Sequence, residues 1–168
     1  MSQLILLGGP PGTGKSTILT HLQKRFTSCA VLDADDVWRV HPDLEDEEKR
    51  RFVFRNVAGV VDGYLEAGYE RVILSWVFAR EDMVEGVEDA LSHWATTLDR
   101  VYLVARPEVI RARLENRGNP EVIDFALSRL RMIEQLDYPK VDVSDLAPDE
   151  AARSVHALIT RHNRHDID

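Results

Sequence analysis

The chain has 168 residues, 44% of them hydrophobic and 30% charged, with a net charge of −8 and a single cysteine, Cys29. That length and apolar content suit one domain over 1–168 with a substantial core, and the acidic balance disfavours a polyanionic partner such as nucleic acid. The lone cysteine excludes an internal disulfide or a cysteine-rich zinc knuckle. It fits a reducing cytoplasm, and no signal peptide or membrane span is expected from the short apolar runs.

In chain order, the first apolar run (Leu4-Ile5-Leu6-Leu7) predicts a strand over 3–8, followed by a helix over 15–26 with Ile18, Leu19, Leu22 and Phe26 on one face. A strand over 29–33 and a helix over 46–67 follow, then a strand over 71–76 and a helix over 81–95. A strand over 100–105 leads to helices over 107–117 and 121–137. The last pair is a strand over 140–143 and a helix over 148–162, before a polar tail from Arg161 to Asp168 that is expected to fray. Val72-Ile73-Leu74 and Val101-Tyr102-Leu103-Val104 are apolar on consecutive residues, as in strands buried on both faces. Pro107 and Pro148 stand where first helical turns begin. The alternation predicts an α/β fold of three layers, a five-stranded parallel sheet between helices. Ligands in such sheets bind beyond the carboxyl ends of the strands, so the polar residues there are the candidates.

Between the first strand and helix lies Gly9-Pro10-Pro11-Gly12-Thr13-Gly14-Lys15-Ser16, then Thr17. This is the P-loop pattern G-x-x-x-x-G-K-S in the strand–loop–helix context it requires. Glycines let backbone N–H groups converge on an anion, and the helix contributes its positive end. Lys15 is expected to reach the β- and γ-phosphates, and Ser16 to offer its hydroxyl to Mg²⁺. The pattern implies binding of a nucleoside triphosphate.

The second strand ends in Leu32-Asp33-Ala34-Asp35-Asp36-Val37. Carboxylates this close repel one another. Near a P-loop, one is suited to orient or deprotonate an acceptor hydroxyl and another to hold a metal-bound water. Asp36 is expected to cap a helix beginning near Val37. After the fourth predicted strand, Arg113 and Arg117 stand four apart on one helix face, leading into Gly118-Asn119-Pro120. Guanidinium groups stack on bases or fork onto phosphates; the alternative is a solvated face paired to Glu108 and Glu115.

This order of motifs resembles the small P-loop kinases, namely the shikimate, gluconate and adenylylsulfate kinases and their relatives. Leu32–Val37 is similar to the Leu-Asp-Gly-Asp-Asn-Val segment of adenylylsulfate kinases and to the D-x-D of shikimate kinases. The resemblance implies a contact from Asp35 to the acceptor hydroxyl, with Asp33 as its partner close to Mg²⁺. The R-x-x-x-R spacing is similar to the lid entry of nucleoside monophosphate and gluconate kinases. It implies that Arg113 packs on adenine and Arg117 stabilises the transferring phosphate, with a short lid at about 117–121. Phe54-Arg55 is similar to the Phe-Arg of shikimate kinases, and Arg129 stands where those enzymes place a substrate-binding arginine. With Arg39, these are the candidates to grip an anionic acceptor. Two features depart from the pattern. Ser75 stands where many P-loop enzymes carry a metal-holding aspartate, and the triple glycine of shikimate kinases is missing. Trp76 is read either as core or, with Trp38, as the wall of a more apolar pocket.

The expectation is an ATP- and Mg²⁺-dependent phosphotransferase acting on a hydroxyl of a sugar acid, nucleoside or antibiotic. Its catalytic residues would be Lys15, Asp35 and Arg117, and its metal would be held by Ser16 and Asp33. The alternatives are a nucleoside monophosphate kinase, a nucleotide-binding regulatory ATPase without an acceptor and, against the acidic total, a polynucleotide 5′-kinase.

Overall fold

A computed structural model describes residues 2–94 and 96–162. Five strands run through it: β1 (Ser2–Gly8), β2 (Ala30–Asp33), β3 (Arg71–Ser75), β4 (Thr96–Val104) and β5 (Lys140–Asp142). They alternate with α1 (Lys15–Leu22), α2 (Asp46–Glu66), α3 (Glu81–Ala90), α4 (Pro107–Asn116), α5 (Ile123–Glu134) and α6 (Pro148–His162). All pairings are parallel, in the order β2-β3-β1-β4-β5.

Successive strand residues pack on opposite faces of this sheet, which is why the strand runs are apolar throughout. Ile5, Leu7, Ile73 and Leu103 meet residues of α1, α4, α5 and α6, among them Ile18, Leu22, Ile110 and Val155. Leu4, Leu6, Val72 and Leu74 meet Val53 and Val57 of α2 and Val84 and Val87 of α3. The chain therefore leaves β1 over one face and β3 over the other. These two strands are neighbours, so a crevice opens beyond their carboxyl ends, at the topological switch point. In register, Leu7 lies opposite Ser75 and Ser75 opposite Asp33, which puts the ends of β1, β3 and β2 in one row.

Some boundaries differ from the periodicity. The first helix stops at Leu22 and tightens into a 3₁₀ turn, Gln23–Arg25, where Arg25 reaches Asp149 on α6 at 2.5 Å. α3 ends at Ala90, short of 95; residue 95 itself lies outside the described residues. There the Trp94 indole donates to Asp62 of α2 at 2.7 Å, so a contact between elements ends the helix early. β4 begins at Thr96, before its apolar run, because it pairs with β1 from Ser2 onward. Its buried Asp99 accepts from the Gln3 amide at 2.7 Å. α5 starts at Ile123, after a 3₁₀ turn over Pro120–Val122. The polar tail lies outside the described residues from 163 on. Among the described residues, no helix is long and apolar enough to cross a membrane.

Candidate functional site

The P-loop occupies the crevice mouth. Gly12 and Gly14 sit at φ 88° and 87°, the left-handed region that glycine enters without strain. At Gly12 a Cβ would also fall 3.1 Å from Ile110 Cγ2 and 3.2 Å from Leu114 Cγ, so the loop lies directly on α4. The Thr13 hydroxyl donates to the Pro10 carbonyl at 2.8 Å and closes the turn. Gly9 N–H donates to the Val77 carbonyl and Trp76 N–H to the Leu7 carbonyl, which ties the loop to the segment after β3. Ser16 and Thr17 are exposed in the first turn of α1, where the helix N–H groups lack intrahelical partners.

Lys15 Nζ donates to the Gly9 carbonyl at 2.7 Å and the Pro10 carbonyl at 3.2 Å. Burial pushes its ammonium down to about 8, against an opposing pull from Asp33 and Asp35. Those carboxylates are thus within electrostatic reach of the loop lysine. Burial raises the carboxyl of half-buried Asp33 above its ordinary value, and repulsion from Asp35 and Asp36 adds to this. A divalent cation beside Asp33 would relieve that repulsion, and the exposed Ser16 hydroxyl is a hard oxygen donor of the kind Mg²⁺ takes. Among the described residues no three histidine, cysteine or acidic side chains converge on a metal position. Directly across from Asp33, the Ser75 hydroxyl is fully buried and has no hydrogen-bond partner among the described residues.

The cap at the end of β2 corrects the expectation for Asp36. A 3₁₀ turn spans Ala34–Val37, and Asp33 is its cap, accepting from the Asp35 N–H at 3.1 Å. Asp36 instead pairs with Arg39 at 2.7 Å. The turn lifts Asp35 into the open. There its Oδ1 accepts from the Trp38 indole and from the Trp76 indole, each at 3.1 Å.

On the other flank, Arg113 Nη2 donates to the carbonyls of Val143 (2.9 Å) and Ser144 (3.3 Å), beyond β5. Glu108 pairs with Arg106, not with Arg113. No carboxylate among the described residues pairs with Arg117. A cavity of about 180 Å³ lies between Thr13, Thr17, Arg113, Val143 and Leu146, and Arg117 also borders it. A second, of about 200 Å³, lies between the P-loop (Gly12, Lys15, Ser16) and Arg117, Asn119 and Val122. The structure therefore brings together Gly12–Thr17, Arg113 and Arg117 around two hollows that share Gly14, Thr17 and Arg117, with Asp33 and Asp35 within electrostatic reach of Lys15.

The three candidate acceptor arginines each have a local contact. Arg39 is bound to Asp36 and to the Asp35 carbonyl. Arg55 lies 5.3 Å over the Phe52 ring, one turn back on its own helix. Arg129 lies 4.7 Å over Phe125. Arg50 and Arg80 share Asp82 at 2.8 and 2.5 Å and bridge α2 to the start of α3. Arg80 stands just beyond β3. Sequence reasoning missed Phe78, a buried non-glycine residue at φ 46° in the same segment.

The family described as AAA domain matches residues 5–137. A curated Archaeoglobus fulgidus protein named "Putative adenylate kinase" is 26% identical over 165 residues, covering 93% of this chain and 82% of its own length. The Deinococcus radiodurans tunicamycin resistance protein superposes with a TM-score of 0.74 at 16% identity, over 95% of this chain and 96% of its own. A gluconokinase from Sinorhizobium meliloti 1021 does so with 0.71 at 14% identity, over 99% and 98%. At such identities the structures share the fold. A profile match across most of the chain, and a P-loop seated at the switch point of a parallel sheet in the order β2-β3-β1-β4-β5, place this chain in the AAA domain family, with the three-layer P-loop nucleotide-binding fold of small kinases.

Proposed function

We propose that the chain is an ATP-dependent kinase that transfers the γ-phosphoryl group to a hydroxyl of a small molecule. One observation carries this reading: a carboxylate pair at the end of β2 lies within electrostatic reach of the P-loop lysine, and Asp35 is exposed and held by two indole donors. A protein that only bound nucleotide would have no use for a second, oriented carboxylate beside that lysine.

Phosphoryl transfer passes through a loose transition state, so positioning and charge stabilisation supply most of the catalysis. Lys15 exchanges the Gly9 and Pro10 carbonyls for β- and γ-phosphate oxygens. Arg117, with no carboxylate partner among the described residues, neutralises charge on the group in flight, and Arg113 borders the hollow that would take the base. Ser16 and Asp33 are the residues that would hold Mg²⁺, which when bound would supply further charge neutralisation. Asp35 orients the acceptor hydroxyl and takes its proton as the new O–P bond forms and ADP leaves.

The adenylate kinase name of the Archaeoglobus relative favours a second reading, in which the acceptor is a nucleoside monophosphate. ADP formation from MgATP, measured with neutral sugars, sugar acids, nucleosides, aminoglycosides and AMP, separates the readings. Stimulation by a hydroxyl compound supports the first, and stimulation by AMP alone supports the second. If nothing stimulates, the chain is a nucleotide-binding ATPase without an acceptor.

The buried lysine makes nucleotide affinity depend on pH. Nucleotide-free Lys15 loses its proton near pH 8, whereas an ammonium on phosphate keeps it to higher pH. Binding above pH 8 must therefore take up a proton. The Kd for ATP is expected to rise by up to about tenfold per pH unit there and to stay nearly flat from 6.5 to 7.5. Calorimetric titration across pH 6.5–9.5 checks this, and a Kd that does not change above 8 contradicts it.

A further inference from the structure

Asp35 is held in an unusual way. Two indole N–H groups from different elements converge on the same carboxylate oxygen, Oδ1, at 3.1 Å each. Trp38 closes the turn in which Asp35 itself stands, and Trp76 immediately follows β3, the strand beside β2. Both tryptophans are only partly buried, and their shared acceptor is an exposed carboxylate.

Both rings are held from behind. Lys49 Nζ lies 4.3 Å over the Trp38 ring, and Phe78 meets Trp76 edge-on, with centroids 5.9 Å apart. Phe78 does so from a backbone conformation, φ 46°, that costs free energy in a bulky residue. The Trp76 N–H bond to the Leu7 carbonyl fixes this segment against the strand that leads into the P-loop. The side chain that meets the acceptor is thereby referenced to the loop that holds the donor phosphate, which in-line transfer demands.

A carboxylate has two oxygens, and a bond to each indole uses the accepting directions of one. No described donor reaches the other. We propose that Trp38 and Trp76 are positioning residues which together saturate Asp35 Oδ1 and leave Oδ2 as the oxygen that faces the acceptor hydroxyl. This rests on the kinase reading above for what Asp35 does. The clamp itself can be seen without any acceptor.

The test has two arms. In ¹⁵N-labelled protein the three tryptophans give three indole signals, and W94F identifies the one that belongs elsewhere. D35N is expected to shift the Trp38 and Trp76 indole resonances and leave Trp94 in place. If neither moves, the clamp does not exist in solution. In the second arm, W38F and W76F keep an apolar ring and delete the N–H. Each is expected to lower the rate of ADP formation from MgATP about tenfold, with the best acceptor of the panel or with water alone. The KM for ATP should stay within about twofold, and W94F should behave as wild type.

In the D35N background, adding either Trp→Phe change should have no further effect, because the group it positions is already disabled. A merely structural role predicts the opposite: lowered thermal stability and rate losses that multiply with D35N. That result overturns the proposal, as does a normal rate in both W38F and W76F when D35N is impaired. If D35N itself is unimpaired, the catalytic reading of Asp35 fails and the positioning role fails with it. Should one tryptophan variant not fold, the other suffices, since both donate to the same oxygen.

Discussion

Lys15→Ala is expected to lower MgATP turnover by about 10²–10³ or more, the range found when a preorganised donor to a transition-state oxyanion is removed. The ammonium is the cation nearest the loop's anion seat, and nothing in the structure replaces it. Arg117 borders the same hollow from the far side and cannot stand where Lys15 stands. Loss of turnover must be separated from loss of fold, and the titration of Lys15 does this. Burial lowers its pKa in the folded chain, so the fold disfavours the charged form. That cost is fully present below about pH 8 and fades as pH rises toward the ordinary lysine value. Alanine removes a desolvated charge, and the variant should melt no lower than wild type at pH 7. Turnover measured by coupled ADP release, beside a thermal melt, decides the matter. A stable variant with near-normal turnover would remove Lys15 from the mechanism.

Asp35→Asn is expected to leave the ATP Kd within about twofold and to reduce acceptor phosphorylation by about 10²–10⁴, the usual contribution of a placed general base. The amide keeps one oxygen, which still accepts from the two indoles, so the surrounding turn should hold. Its NH₂ takes the place of Oδ2 and donates where a proton must be accepted. Isothermal titration with ATP gives the first quantity, and acceptor-dependent ADP formation the second. Equal losses in binding and transfer would mean that Asp35 acts through the P-loop rather than on the acceptor. Normal transfer would leave the acceptor side of the site without a catalyst.

The loop at the end of β1 was readable because its pattern is local. Eight consecutive residues, Gly9 to Ser16, carry the loop, its helix start and its lysine, and R-x-x-x-R spans the last turn of α4 from Arg113 to the cap residue Arg117. The acceptor side was readable only as a neighbourhood. Asp33 and Asp35 stood out as carboxylates at a strand end. The capping role expected of Asp36 belongs to Asp33, since the backbone forms a 3₁₀ turn three residues earlier. Arg39, Arg55 and Arg129 were equally eligible from spacing. Each has a contact within its own helix or turn, and no short-range pattern says which of them a bound acceptor would draw away. Boundaries failed where contacts between elements intervene. β4 runs back into Thr96–Arg100 because β1 pairs with it, and α3 stops where Trp94 reaches Asp62.

By itself the amino-acid order determined the α/β alternation, the sheet buried on both faces and the phosphate loop, since these follow from periodicity and from glycine and lysine at fixed intervals. Only the tertiary structure decided which strands are neighbours, and with that which strand ends share a crevice. Trp76 and Asp35 are 41 residues apart in the chain yet hydrogen-bonded in the fold. No local pattern encodes such a pairing, because it depends on the register of β2 against β3. That register is settled by burial of the two sheet faces, to which every strand contributes at once.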